Sequence, residues 1–489
     1  MSLILILIPL LPLLAVFLSL VPAGKFFAPA ATILAEVLAF LLAIAEASSV
    51  VIQHRVVAIA GWVELDGLSA TLLLLVTFVS STAALFSWGY IVAHQQELHR
   101  VRSYCVQLNL FVFALMLVPV LAQPAFVWIA IEFTALFSVL LVAFDNTPAS
   151  LEAAWKYIAL MFMGAAIALL GFFILFWAQQ NAGGGHYSWE GLRAVAPQMP
   201  PILVKAAFLL ILAGFGAKVG FVPMHTWLPD AHSQAPSPVC ALLSGIKTTT
   251  ALYCILRLVP LLASDHLQIW MQVVGLISVG VASFLLLQVR DYKRLFAYST
   301  VEHMGIIFVA AGFGAGGNYS AILQMIGHSL TKSFCFFAAG VVLLVLGTRE
   351  IAAVRGLIRT SPIAGAMLLF GALAIGGAPP FAVFLSEFSI IRAGLARKNY
   401  VTVALLVIFI AVAFFGILLH VNRMVFGTPT LRALAPIEPM PDHKPLPFTC
   451  VLTLFIAAIP VVVFGVYQPR ALHDLLDLAA AQLAPLTSS

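Results

Sequence analysis

The sequence predicts an all-α membrane protein, a single polytopic domain of about fourteen transmembrane helices. Three observations lead there. Of its 489 residues 63% are hydrophobic and only 9% charged, with a mean hydropathy of +1.09, whereas a soluble domain is about a quarter charged. Apolar runs of about twenty residues, each able to cross about 30 Å of hydrocarbon as a helix, follow one another from Leu3 to Val466. Lysines, glutamates and histidines fall inside those runs, where a structural role alone is costly.

Windows of membrane-spanning length place helices near 3–21, 29–52 and 67–92, then 105–122, 124–144, 157–178, 202–227 and 238–262. A further set follows near 269–288, 296–315, 319–346, 363–392 and 401–425, with a last helix at 447–467. The long connections are 179–200, with Gly183, Gly184 and Gly185, and the proline-rich 427–446. The chain opens apolar and its first basic residue is Lys25, so the first helix is expected to be retained rather than cleaved. Cys105, Cys240, Cys254, Cys335 and Cys450 are isolated, with no C-x-x-C pair, which argues against an iron–sulfur site or a disulfide framework.

A net charge of +5 and a pI near 9.0 come from scattered loop residues and give no nucleic-acid patch. Fourteen spans put both termini on one side. The opposite face carries Lys25, Arg100, Arg102, Arg290, Lys293, Arg294, Arg349, Arg355, Arg359, Arg423, Arg432 and Lys444, while the terminal face carries Arg55, Arg193, Lys205, Arg257, Arg392, Arg397, Lys398 and Arg470. This bias predicts termini on the outer side of a cytoplasmic membrane. No loop claims Lys156, Lys218, Lys247 or Lys332, and Glu132, Glu302 and Glu387 lie equally deep.

Gly220, Pro223, Trp227 and Leu228 share the spacing G-x-x-P-x-x-x-aromatic-L with Gly377, Pro380, Phe384 and Leu385. An odd number of crossings separates the two copies, so they are inverted. Glycine and proline predict a broken helix in each, and such breaks free backbone groups for ions at the membrane midplane.

Buried charges must be paired, neutral or wetted. Desolvation and a nearby carboxylate act oppositely on a buried lysine's proton affinity, so moving the partner moves the proton. Glu132 is expected to pair with Lys218, which immediately precedes the first break; Lys247 follows one helix later. His328 and Lys332 are four apart and share a helix face. Glu387 lies seven residues beyond Pro380, while Lys156, His225, Glu302, His303 and His420 are possible extensions of the row. Structural readings compete at each: a glutamate pinning two helices, a snorkelling lysine, a satisfied core histidine. Lys293 and Arg294 read as loop anchors, and Glu36 and Glu46 fit no row.

The stretch GAKVGFVPMHTWLPDAHSQAPSPVCALLSGIKTTTALYCILR (216–257) resembles the signature of antiporter-like subunits shared by respiratory complex I, multisubunit sodium/proton antiporters and energy-converting hydrogenases. DYKRLFAYSTVEHMG (291–305), HSLTKSFCFFAAG (328–340) and PPFAVFLSEF (379–388) agree, and YSTVEHMG with Glu387 looks most like the large antiporter-like subunit of hydrogenase-4 and formate-hydrogenlyase-type complexes. The resemblance implies three N-terminal helices in 1–104, two inverted five-helix repeats at 105–262 and 269–426, and a fourteenth helix at 447–467. It implies a Glu132–Lys218 pair, a bridging Lys247, and an output half at His328, Lys332 and Glu387. It also implies no redox cofactor or metal in the chain itself, with iron–sulfur and nickel–iron centres in partner subunits of a multisubunit complex. The longest relatives carry a lateral helix beyond the fourteenth span, for which about twenty residues leave no room here.

Proton translocation in a complex-I-like or hydrogenase assembly is therefore expected, without a redox active site in this chain. The alternatives are a sodium/proton antiporter subunit, the membrane module of an inorganic-carbon uptake complex, and a structural anchor that would tolerate neutral replacements along the row.

Overall fold

The computed structural model describes residues 2–94, 97–262, 266–428 and 446–484. Arg432, Lys444 and most of the proline-rich connection lie outside them. The chain is mostly helical, as the hydrocarbon requires of a backbone that must satisfy its own hydrogen bonds.

Helices α1 (Ile4–Leu20) and α2 (Phe27–Gln53) lead to an antiparallel hairpin of β1 (Arg55–Ile59) and β2 (Val63–Asp66). Then come α3 (Gly67–His94), α4 (Leu98–Val120), α5 (Pro124–Val142), α6 (Pro148–Asn181) and the short α7 (Trp189–Val195). Next are α8 (Pro201–Val219), α9 (Trp227–Gln234), α10 (Ser237–Leu242) and α11 (Thr248–Leu256), the last two joined by a π-turn at Leu243–Lys247. They are followed by α12 (His266–Leu286), α13 (Tyr292–Ala311), α14 (Ala315–Leu346) and the short α15 (Leu357–Thr360). The chain continues through α16 (Pro362–Ile375), α17 (Ala382–Ala396), α18 (Tyr400–Phe426), α19 (Phe448–Val466) and α20 (Arg470–Gln482).

Among the described residues, eleven helical stretches are long and apolar enough to cross a membrane, and α1 and α16 are shorter apolar helices. Helix α13 has the length, 20 residues, but carries Lys293, Arg294, Glu302 and His303. Burial sorts the spans: Ser237–Leu261 is wholly enclosed, whereas α2, α18 and α19 turn most of their surface outward. The centre is thus built from the most polar helices, ringed by the most apolar.

Close helix approach relies on glycine. A Cβ on Gly164 would stand 2.5 Å from the Gly214 carbonyl oxygen, and one on Gly275 would stand 2.7 Å from that of Gly305. These contacts draw α6 onto α8 and α12 onto α13, the small-residue packing expected where lipid gives no hydrophobic drive.

The expected breaks are present: α8 ends before Gly220 and α9 begins only at Trp227, and 363–392 divides into α16 and α17, whereas the π-turn within 238–262 departs from the sequence reading. The hairpin and α20 were not anticipated. Helix α20 is amphipathic, burying Leu475, Leu476 and Ala479, so a search for uniformly apolar runs passes over it.

Candidate proton path

Helix α8 stops at Gly220, whose φ of +91° is the left-handed conformation that glycine adopts without a Cβ penalty. Six irregular residues follow before α9 begins. The Trp227 indole donates to the Ala217 carbonyl (2.8 Å), and the Val222 amide donates to Ser278 Oγ (3.1 Å). The break is therefore pinned on both sides. Lys218, 1% exposed, reaches Glu132 of α5 with Nζ 2.9 Å from Oε1. The pairing expected from the sequence is present.

Lys247 is buried, with no carboxylate in contact among the described residues. Its Nζ lies 4.4 Å from the Tyr157 ring centre, 4.6 Å from that of Trp227 and 3.2 Å from Met161 Sδ. Aromatic faces attract a cation by about 0.5–2 kcal/mol, so they hold Lys247 without fixing it as a carboxylate would. Trp227 thus links the first break to the next lysine.

The π-turn ending at Lys247 loosens the helical hydrogen-bond ladder. Helix α14 takes up two of its carbonyls: His328 Nε2 lies 3.3 Å from Ser244 O, and Ser329 Oγ donates to Gly245 O at 2.6 Å. A Cβ on Gly245 would stand 2.9 Å from the Ser329 carbonyl oxygen, so no larger residue fits between the helices. One turn along α14, Lys332 donates to Phe296 O and Ser299 Oγ, both at 2.7 Å.

The His303 ring of α13 lies tilted by 43° against that of His328, with ring centres 5.3 Å apart. Its Nε2 faces the Ile375 carbonyl at 3.0 Å, and Nδ1 faces Gln324 Nε2 at 2.9 Å. A carbonyl only accepts, so Nε2 carries the hydrogen and Nδ1 accepts from the amide. Ser386 donates to the other end of Gln324. Ile375 is the last residue of α16, and this network joins the centre to the second break.

That break repeats the first: Gly377 has φ +78°. Glu387, buried on α17, rests its carboxylate against it, where a Gly377 Cβ would stand 2.4 Å from Oε2. Glu302 is buried on α13, with Oε2 unpartnered among the described residues.

Residues 122–414 match the family model described as NADH:quinone oxidoreductase/Mrp antiporter, TM, and residues 58–100 match that of NADH-ubiquinone oxidoreductase (complex I), chain 5 N-terminus. The chain belongs to this antiporter-like family. The chain is 37% identical to the hydrogenase-4 component F homolog of Methylacidiphilum infernorum, over 83% of this chain and 85% of that one. It is 28% identical to NADH-quinone oxidoreductase subunit N of Desulforudis audaxviator, with 86% of each covered. In fold it is similar to a chain of the membrane-bound sulfane sulfur reductase, an archaeal respiratory membrane complex (TM-score 0.87, 23% identity, 99% and 98% covered). A chain of the Mrp complex from Dietzia sp. superposes with a TM-score of 0.81 at 19% identity, with the same coverage. This is a multi-pass membrane protein of the respiratory and antiporter type.

Not every candidate of this antiporter-like chain joins the row. Lys156 does not lie within an enclosed run: α6 begins eight residues before it, its side chain is 50% exposed, and it pairs with Glu152 (2.6 Å) and Asp230 (3.6 Å). His225 is half-buried in the first break beside Tyr298, with ring centres 6.4 Å apart. His420 Nε2 donates to Leu287 O (3.3 Å), far along α18 beside Arg423 in a surface cavity. Lys293 is buried rather than a loop anchor, donating to Ala235 O at 2.5 Å.

The sequence reading missed His232. It is fully buried on α9, with Nδ1 on Leu228 O (2.7 Å) and Nε2 unpartnered, its ring 6.3 Å from Trp227 and 5.2 Å from Phe336. Its signal was available in HTWLPDAH, where it follows the first break by twelve residues.

Proposed function

We propose that this chain is the proton-translocating, antiporter-like subunit of a hydrogenase-type or other complex-I-like assembly in the cytoplasmic membrane. Protons would load at Glu132–Lys218, pass Lys247 to His232 and His328, and reach Lys332, Glu302 and Glu387. The observation that carries this reading is the 2.9 Å Glu132–Lys218 ion pair at a helix break, continued by buried bases to a carboxylate at a second break. Two inverted five-helix units, 105–262 and 269–426, within fourteen spans and with both termini outside, account for the recurrence of a positive-φ glycine and a proline at each break. Other membrane subunits and, through them, a peripheral redox module would supply the drive, as the names of similar proteins suggest.

A second reading is sodium/proton exchange, favoured by 29% identity over 453 residues to Na(+)/H(+) antiporter subunit A1 of Staphylococcus haemolyticus. The chemistry of the row weighs against sodium as its cargo. A hard cation needs several oxygen ligands, and the central stations are amines and imidazoles, which hand on protons. Proton uptake into inverted vesicles tests both readings. Glu132→Gln and Lys218→Ala should each abolish uptake in an assembled complex, with no requirement for sodium. Wild-type uptake in either variant refutes the row, and uptake that appears only with sodium establishes exchange.

A further inference from the structure

A cavity of about 1140 Å³ opens on the arginine-rich face, between the ends of α12, α14 and α18 and the start of α13. Arg290, Arg294, Arg349, Arg355 and Arg423 line it, against only two carboxylates, Asp291 and Glu350. Three of the five are engaged by the chain. Arg294 pairs with Asp230 at 2.8 Å, Arg349 donates to Ser233 O, and Arg355 donates to Ile351 O at 2.7 Å. The side chains of Arg290 and Arg423 have no hydrogen-bond or ion-pair partner among the described residues, and both are exposed.

The opposite face shows what a self-sufficient cavity looks like. There a space of about 400 Å³ holds Arg55, Arg193 and Arg257 with Glu64, Asp66 and Glu190. Arg55 meets Glu190 at 2.6 Å, Arg257 pairs with Asp66, and Arg193 donates to Gln482 O at 2.7 Å. Among the described residues the larger cavity lacks that balance, and its shortfall is of negative charge.

We propose that the larger cavity binds a phosphate-bearing anion, clamped chiefly by Arg290 and Arg423. Guanidinium forks match phosphate oxygens in pairs, and basic pockets between helix ends on the cytoplasmic side suit anionic lipid headgroups. Apolar surface lies beneath it for acyl chains. Phe284, one turn inward from Gln288, is 55% exposed, and Phe415, two turns inward from Arg423, is 61% exposed. The same chemistry would accept free phosphate or pyrophosphate.

The test uses the full chain, purified in mild detergent and offered cardiolipin, phosphatidylglycerol or phosphatidylcholine, with retained lipid read by native mass spectrometry. A parallel arm titrates pyrophosphate and reads thermal stabilisation. Wild type should retain anionic lipid over phosphatidylcholine by about tenfold or more, and Arg290→Gln with Arg423→Gln should erase the preference. The Arg290→Lys, Arg423→Lys double variant, which keeps charge but not the fork, controls for folding and should retain part of it. Stabilisation by pyrophosphate without lipid retention assigns the site to soluble phosphate. Equal retention of all lipids with no pyrophosphate effect overturns the proposal, as does a glutamate-rich peptide binding as well as either phosphate ligand.

Discussion

The two helix breaks share a backbone and differ in charge. At the first, the ionisable group stands on the helix entering the break: Lys218 precedes Gly220 by two residues and is matched by Glu132 from another helix. At the second, it stands on the helix leaving the break, ten residues after Gly377; Glu387 has no ion-pair partner among the described residues, and Glu302 on α13 is a second buried acid. A matched pair stores its charge in a separable contact. Two acids in one apolar region cannot comfortably both be charged. On the proposed path, the first break would hold a proton until the pair parts, and the second would pass on whichever proton arrives.

Substitutions at the ends should break this contrast most severely. Glu387→Gln should cut redox-driven proton uptake into inverted vesicles by about tenfold or more, while Glu387→Asp keeps a measurable rate. If glutamine pumps like wild type, the carboxylate acts only by geometry and the contrast fails. Next in size, Glu302→Gln should slow transport by several-fold in the same assay, since it removes the link from Lys332 to Glu387; full activity would mean that Lys332 hands over directly.

The glycines sharpen the comparison further. A Cβ at Gly220 would meet Leu228 Cδ1, the end of a flexible side chain, whereas one at Gly377 would meet the Glu387 carboxylate. Both substitutions by alanine carry the cost of a positive φ, about 1–2 kcal/mol. Measured at matched protein levels, Gly377→Ala should lose several-fold more transport than Gly220→Ala. Equal losses would indicate a backbone effect alone.

The smallest effect on transport belongs outside the row, at the hairpin. Burial pushes the Asp66 carboxyl upward, but the Arg257 guanidinium more than offsets this and leaves it below its ordinary value. The stability it gives is thus complete above the ordinary aspartate range and lost as pH falls through the lowered value. Asp66→Asn should melt about 2–4 °C lower at neutral pH, the gap closing in acid, with little change in proton uptake.

What the sequence disclosed follows from what polarity can signal. Lys218, Lys247 and Lys332 were legible because no loop could hold them, and Glu132 because its helix offers it no partner. Lys156 misled because an exposed helix end reads the same as an enclosed one when composition alone is seen. The aromatic seat of Lys247 was invisible, since Tyr157 and Trp227 come from other helices and look like ordinary core residues. The doubled helices at 202–227 and 363–392 were half legible: glycine and proline marked the breaks, but hydropathy runs straight through them. Glu36 and Glu46 are buried on α2, and nothing in the fold explains Glu36.

A turn wider than its neighbours is also a place where a helix can be re-phased. The π-turn at Leu243–Lys247 holds an extra residue, and successive helical residues differ in direction by about 100°. Shifting the surplus one position along the chain swings Lys247 through roughly that angle while α10 and α11 keep their places. A side chain can then change company with no helix displaced. On the proposed path, slack stored in one turn would move a proton carrier without the displacement that a hinge requires.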